Sequence, residues 1–289
     1  TGVAVGAALV GMRPVMTHQR IDFMLYAMDG IVNHAAKWNY MSGGIPTGVP
    51  ITIRAVIGRG WGQGAQHSQN LQALFMHIPG LKVIMPTTPY DVKGLLIASI
   101  EDDNPVIFIE HRWLYNRVGP VPEEMYTVPI GKGAIVREGK DVTIAATSYM
   151  TVEAGQAADT LAEEGIEAEI VDIRTIKPLD EELIFKSVQK TGRLVVADSG
   201  WITGGVGAEV AARMADAAFK YLKAPIKRIS LPEVPTPTSC ALTELFYPGP
   251  KHIIAAVKEI LIDAKTGVRE EQYKPQLPSD VPDKEFKGP

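Results

Sequence analysis

The sequence predicts an α/β protein made of two tandem α/β domains with mostly parallel sheets. Two observations carry this. Short apolar or β-branched runs alternate with longer stretches whose apolar residues recur at helical spacing. A stretch rich in proline and without periodicity then splits that alternation into two halves. Repeated strand-then-helix order is the pattern of parallel sheets covered by helices. A chain of 289 residues has room for two such cores.

The elements follow in order. Ala, Val and Gly dominate residues 1–12, as in a tightly packed helix leading into a strand. The stretch has no initiator Met and no basic leader region, so an N-terminal portion is expected to precede Thr1. Strands are expected at 13–17 (RPVMT), 51–57 (ITIRAVI), 81–86 (LKVIMP) and 105–110 (PVIFIE), with helices at 22–38 and 89–101. These make a first domain over 1–118. GPVPEEMYTVPIG at 119–131 reads as a linker. The second domain, 132–265, repeats the pattern. Its strands are expected near 142–147, 167–173, 193–198 and 226–231, and its helices near 150–164, 180–190, 205–221 and 249–263. The last stretch, 266–289, holds four prolines and mixed charge and is expected to be an extended arm or disordered tail.

Composition excludes several functions. The formal net charge is −4, and the 29 Lys and Arg residues are scattered along the chain, which argues against nucleic acid or an anionic membrane surface as the main partner. A single cysteine, Cys240, forms no internal disulfide, and no apolar run is long enough to cross a bilayer. A cytoplasmic location is the default expectation.

Among motifs, Gly58, Gly60, Gly62 and Gly64 alternate through GRGWGQG, marking a bent segment that passes close to something. Gly60-x-Gly62-x-x-Ala65 loosely fits a dinucleotide fingerprint, but the next strand ends MPTT instead of in the acidic residue that would hold a ribose hydroxyl. Neither GxxxxGK[ST] nor GxSxG occurs, and the six histidines show no paired metal-ligand spacing. His67 stands apart. It follows the glycines at the carboxyl end of strand 51–57, where open α/β sheets bind ligands. His18 also follows a strand end.

Eight stretches carry a family resemblance: MRPV, HQRIDF, DGIVNHAAKWNYMSGG, GAQHSQ, HIPGLKVIMPTTPYDVKGL, DDNPVIFIEHR, RTIKPLD and GGVGAEV. In this order and spacing they resemble the β subunit of thiamine-diphosphate-dependent 2-oxoacid dehydrogenases, the decarboxylating components that act on pyruvate, branched-chain oxoacids or acetoin. The resemblance runs from residue 1 to about 263. It implies a pyrimidine-binding domain followed by a transketolase-type C-terminal domain.

What the resemblance implies about residues is specific. Phe23 falls where the family packs an aromatic ring on the aminopyrimidine, with Gln19 and Asp22 around it. His67 matches the family's active-site His, near the reacting carbon and the lipoyl group. Ile51, Ser99, Ile100, Asp102 and Asn104 correspond to a monovalent cation site, for K+. Read from the residues alone, Phe23 could equally be a core aromatic, and Asp102–Pro105 a turn before a strand. The family's catalytic Glu would lie upstream of Thr1. HQR at 18–20 stands where pyruvate enzymes of the family are mostly apolar, so a more polar substrate pocket is expected.

The thiamine enzymes' GDG-then-Asn pattern for Mg2+ does not occur. The cofactor's diphosphate and its Mg2+ are therefore expected on a partner α subunit, in an α2β2 tetramer. The implied reaction decarboxylates a 2-oxoacid on thiamine diphosphate and passes the acyl group to a lipoyl arm of an acyltransferase partner. Two other readings remain: a transketolase-like or deoxyxylulose-phosphate-synthase-like half, and a non-catalytic scaffold subunit.

Overall fold

A computed structural model describes residues 1–44, 48–59 and 62–266, without the side chains of Glu244 and 262–266. The tail at 267–289 and Gly60 of the glycine series lie outside the described residues.

Two five-stranded sheets form the molecule. The first contains β1 (Val15–His18), β2 (Thr52–Ile57), β3 (Lys82–Ile84) and β4 (Val106–His111), all parallel, in the order β1-β2-β4-β3. The second contains β5 (Ala134–Arg137), β6 (Val142–Ala146), β7 (Ala168–Asp172), β9 (Leu194–Trp201) and β10 (Lys227–Leu231), in the order β10-β9-β6-β7-β5. Only β5 runs antiparallel there. The strands read as near-continuous apolar runs because both faces of each sheet are covered; every residue of β4, β6 and β7 is buried.

Helices Tyr149–Glu163, Glu181–Thr191, Val206–Ala217 and Pro250–Thr266 flank the second sheet, and Pro89–Glu101 flanks the first. Local chemistry sets their ends. Thr88 caps Pro89–Glu101 by accepting the Asp91 N–H at 3.1 Å, and Asp180 caps Glu181–Thr191 through the Leu183 N–H at 3.3 Å.

Four features differ from the sequence expectation. β8 (Thr175–Lys177) lies within the second half of the chain yet pairs antiparallel with β3, closing the edge of the first sheet. The edge strand β5 and the short helices Gln72–His77 and Cys240–Phe246 were not expected. The helix expected at 22–38 is broken into Ile21–Met24, a 3₁₀ turn Leu25–Ala27, a π-helical stretch Asp29–Ala35 and Ala36–Met41. The segment at 119–131 is no free tether: Val128 is buried against Ile84, Leu95 and Phe108, and Tyr126 stacks on Tyr90 at 4.5 Å.

One apolar core runs through both sheets, joining Ile53, Phe75 and Ile109 of the first half to Val171, Val196 and Val210 of the second. Polar bonds cross the same seam. Gln72 donates to Asp198 at 3.0 Å, and Thr87 donates to the Ser148 carbonyl at 3.2 Å.

Candidate functional site

The carboxyl ends of β1, β2 and β4 converge at one edge of the first sheet. β1 feeds directly into His18–Phe23, β2 into the glycine loop 58–70, and β4 ends at His111.

His18–Phe23 grips that loop. Arg20 is buried, and its guanidinium donates to the Gly58 carbonyl at 2.9 Å and to Gln63 Oε1. Asp22 is buried too, and its Oδ1 accepts from the Gln69 backbone N–H at 3.2 Å and from Gln69 Nε2 at 2.9 Å. Two consecutive turns of the loop are thus tied down on either side of His67. Of the polar HQR run, Arg20 binds acceptors on the loop, Gln19 is exposed at the end of β1, and His18 Nε2 is buried with no hydrogen-bond partner among the described residues.

Phe23 is 44% exposed, so it is not a core aromatic. Its ring centroid lies 5.0 Å from that of His67, edge-on at 73°. The His67 N–H donates back to the Gly64 carbonyl at 3.4 Å, closing a tight turn that presents the half-buried imidazole beside the phenyl ring. Asp22 Oδ2, buried next to Phe23, has no hydrogen-bond partner among the described residues. The structure thus brings Asp22, Phe23 and His67 together.

His111 has a different job. It is buried and stacks on Tyr149 of the second domain at 4.9 Å. Its Nδ1 accepts the Trp113 N–H at 3.2 Å, which leaves the ring proton on Nε2. Burial, reinforced by the nearby Arg59 and Arg20 charges, pushes its pKa down to about 3. At neutral pH it is an uncharged packing group of the seam. The first glycine of the series is explained by it, because Gly58 sits at φ +86° with its Cα against the His111 ring, where no β-carbon fits.

The five residues matched to a cation site gather at the opposite, amino-terminal edge of the sheet, where several of their oxygens accept hydrogen bonds. The Ile51 carbonyl accepts the Val106 N–H at 2.9 Å, and the Ser99 carbonyl accepts the Thr52 hydroxyl at 3.0 Å. Arg13 donates to the Ile100 and Asp102 carbonyls at 3.0 Å each and pairs with Asp103, while Asn104 Oδ1 accepts from Asn39 at 3.2 Å. Lys82 pairs with the Asp102 carboxylate. The Arg13 guanidinium thus places one positive charge against two of these carbonyls. Among the described residues no group of three or more His, Cys, Asp or Glu is placed to hold a metal, and no helix is long and apolar enough to cross a membrane.

Residues 1–117 match the transketolase pyrimidine binding domain, and residues 131–253 match the transketolase C-terminal domain. The acetoin:2,6-dichlorophenolindophenol oxidoreductase subunit beta of Cupriavidus necator is 48% identical over 91% of this chain and 78% of that protein. The pyruvate dehydrogenase E1 component subunit beta of Rickettsia felis is 45% identical over 90% of this chain and 79% of its own length. The chain belongs to the β subunits of the thiamine-diphosphate-dependent 2-oxoacid dehydrogenases. Among solved structures, this β-subunit fold is similar to a split-gene transketolase described as an inactive beta4 tetramer, with a TM-score of 0.72 and 29% identity over 90% of this chain and 80% of that one.

Sequence reasoning named Asp22, Phe23 and His67 of this β subunit's edge but missed what holds them. Arg20, Gln63 and Gln69 were legible only as polar residues near the motifs. Thr238 and Tyr247, which reach the same loop from the other side at Gly64 and Arg59, gave no local signal.

Proposed function

We propose that this chain supplies one half of a thiamine diphosphate site in the decarboxylating component of a 2-oxoacid dehydrogenase, with Phe23 and His67 as its working groups. The observation that carries this is the exposed Phe23 ring set edge-on against His67, on a loop fixed by Arg20 and Asp22. A buried phenyl would be core; an exposed one held this firmly is a platform. Its flat face suits an aminopyrimidine ring, while the unsatisfied Asp22 Oδ2 beside it is buried and suits a trapped water.

When bound, thiamine diphosphate supplies the electron sink for decarboxylation. The chain's own residues position it and manage protons. Phe23 orients the pyrimidine. Gln69, held by Asp22, fixes the loop's exit, and His67 gives or takes a proton at an imidazole nitrogen near the reacting carbon. The diphosphate, with its Mg2+, is assigned to a partner α subunit in an α2β2 assembly, and the acyl group to the lipoyl arm of an acyltransferase partner. The K+ site matched at Ile51, Ser99, Ile100, Asp102 and Asn104 stays part of this reading, with Arg13 beside it on the Ile100 and Asp102 carbonyls.

Coexpression with the α subunit, followed by assay of 2-oxoacids with an artificial electron acceptor and with lipoamide, tests the proposal. His67→Ala is expected to lower lipoamide-dependent turnover by about 10²–10⁴-fold, the range for a positioned acid or base, with assembly intact. Unchanged turnover in both assays would remove His67 from the chemistry.

A further inference from the structure

The loop that carries His67 is held on one side by its own domain and on the other by the second. After β10 ends at Leu231, the chain crosses back to the first domain. Trp201 anchors this crossing by donating to the Val234 carbonyl at 3.0 Å. Two contacts then reach the loop. The Arg59 guanidinium lies between two rings, 3.5 Å from the centroid of Trp113 and 4.5 Å from that of Tyr247. Gly64, at φ +70°, turns its Cα toward Thr238, whose Oγ1 occupies the space of a β-carbon. The Gly64 carbonyl is the acceptor of the His67 N–H, so Thr238 is one residue removed from the turn that aims the imidazole.

The space between Arg59, Asn70, His111 and Ser199 is a cavity of about 20 Å³, room for one water. Asn70 Oδ1 and Ser199 Oγ, both buried there, have no hydrogen-bond partner among the described residues. Among the described residues Tyr247 and Thr238 reach the loop across this seam, beside Tyr149, which stacks on His111 and hydrogen-bonds Arg59.

We propose that residues 232–248 of the second domain are a positioning clamp for the His67 loop, acting through Tyr247 on Arg59 and through Thr238 on Gly64. Neither residue touches the cofactor platform. Tyr247 holds the guanidinium by its ring face, and Arg59 begins the loop that ends in the Gly64–His67 turn. The inference rests on the role given to His67 above. It adds that the second domain sets where the imidazole sits, so that loosening the clamp slows the reaction without weakening cofactor binding. The reason is geometric: Phe23 and Asp22 sit on the segment after β1, outside the loop, and Asp22 meets it only at Gln69, whereas His67 lies between that tie and the Gly64 turn that Thr238 backs.

The test compares Tyr247→Leu, which keeps bulk but loses the ring face, with Tyr247→Phe, which keeps both, in the assembled enzyme. Hydrogen exchange of the 58–70 peptide, the melting temperature, the thiamine diphosphate dissociation constant and kcat are measured for each. Tyr247→Leu is expected to speed exchange of 58–70 by about tenfold or more, as local opening becomes easier. It should lower kcat by about 10–10²-fold, the cost of a small misplacement at a reacting centre. Cofactor affinity should stay within about twofold, and Tyr247→Phe should restore wild-type values on every readout, because the guanidinium interacts with the ring face and not the hydroxyl. Unchanged exchange overturns the clamp, as does faster exchange with unchanged kcat, or a kcat loss that Tyr247→Phe does not restore. Should His67→Ala keep full turnover, the assignment of the imidazole falls separately, and exchange, which needs no reaction, alone decides whether the clamp holds the loop.

Discussion

At the scale of single residues, the contrast between Phe23 and the buried aromatics is informative. Phe75 and Phe108 are fully enclosed, whereas Phe23 presents almost half its surface next to a histidine. Truncating an enclosed Phe costs about 3–5 kcal/mol. Phe23→Ala is expected to cost far less stability, because its ring loses little burial, and to weaken thiamine diphosphate binding by about 1 kcal/mol or more through lost stacking, roughly five- to tenfold in affinity. Thermal melting and a cofactor titration on the same variant separate the outcomes: a large drop in melting temperature with unchanged affinity would return Phe23 to the core. Asp22, Phe23 and His67 were legible because the motifs HQRIDF and GAQHSQ are short and local. The cation-site residues were legible as a pattern too, yet the pattern concealed that Arg13, far away in sequence, donates to the same carbonyls.

At the scale of elements, strands with strong local signals matched expectation, and those defined by distant partners did not. Thr52–Ile57 and Val106–His111 are continuous apolar runs and stand out. Thr175–Lys177 has three residues, and its partner β3 lies in the other half of the chain, so nothing nearby announces it. The region after Arg20 shows the opposite failure. Its apolar spacing suggests one helix, but the π-helical stretch inserts a change of phase that keeps Ile31 and Ala35 facing inward.

The ends of β7 and of helix Pro89–Glu101 meet in a buried charge cluster. Arg174 lies 3.1 Å from Asp91 and 3.9 Å from Asp172, and Thr151 donates to Asp172 at 3.2 Å. Burial pushes the Asp172 pKa up to about 7, against the opposing pull of Arg174. An unfolded Asp ionises near pH 4, so between about pH 4 and 7 the native state holds a proton that the unfolded state has released. Asp172 thus contributes stability at low pH that is lost as pH rises through that window, and the loss is complete above about pH 7. His111 acts in the other direction. Its native pKa near 3 lies below the unfolded value of about 6.5, so its contribution is lost as pH falls below about 6.5. Melting wild type and Asp172→Asn across pH 4.5–8 cancels the histidine. The variant is expected to gain on wild type as pH rises to about 7 and to run parallel above it. A constant difference throughout would mean that Asp172 is ionised in the native state across the range.

At the scale of the whole molecule, the two sheets share an apolar core, the segment at 119–131 packs down instead of tethering loosely, and the loop bearing His67 touches both halves. The candidate edge is nevertheless one-sided: it presents an exposed phenyl ring beside an imidazole, which the proposed function gives to the pyrimidine end of a cofactor. Half a site should bind the cofactor by orders of magnitude more weakly than the assembled one, because the diphosphate and its magnesium ion carry most of the charge to be compensated. Calorimetric titration of thiamine diphosphate with Mg2+ into the chain alone, and into the chain assembled with its α subunit, measures this directly. The expected result is no stoichiometric heat from the isolated chain at micromolar concentration and one saturable site per αβ pair on assembly. Tight, stoichiometric binding by the isolated chain would contradict a shared site.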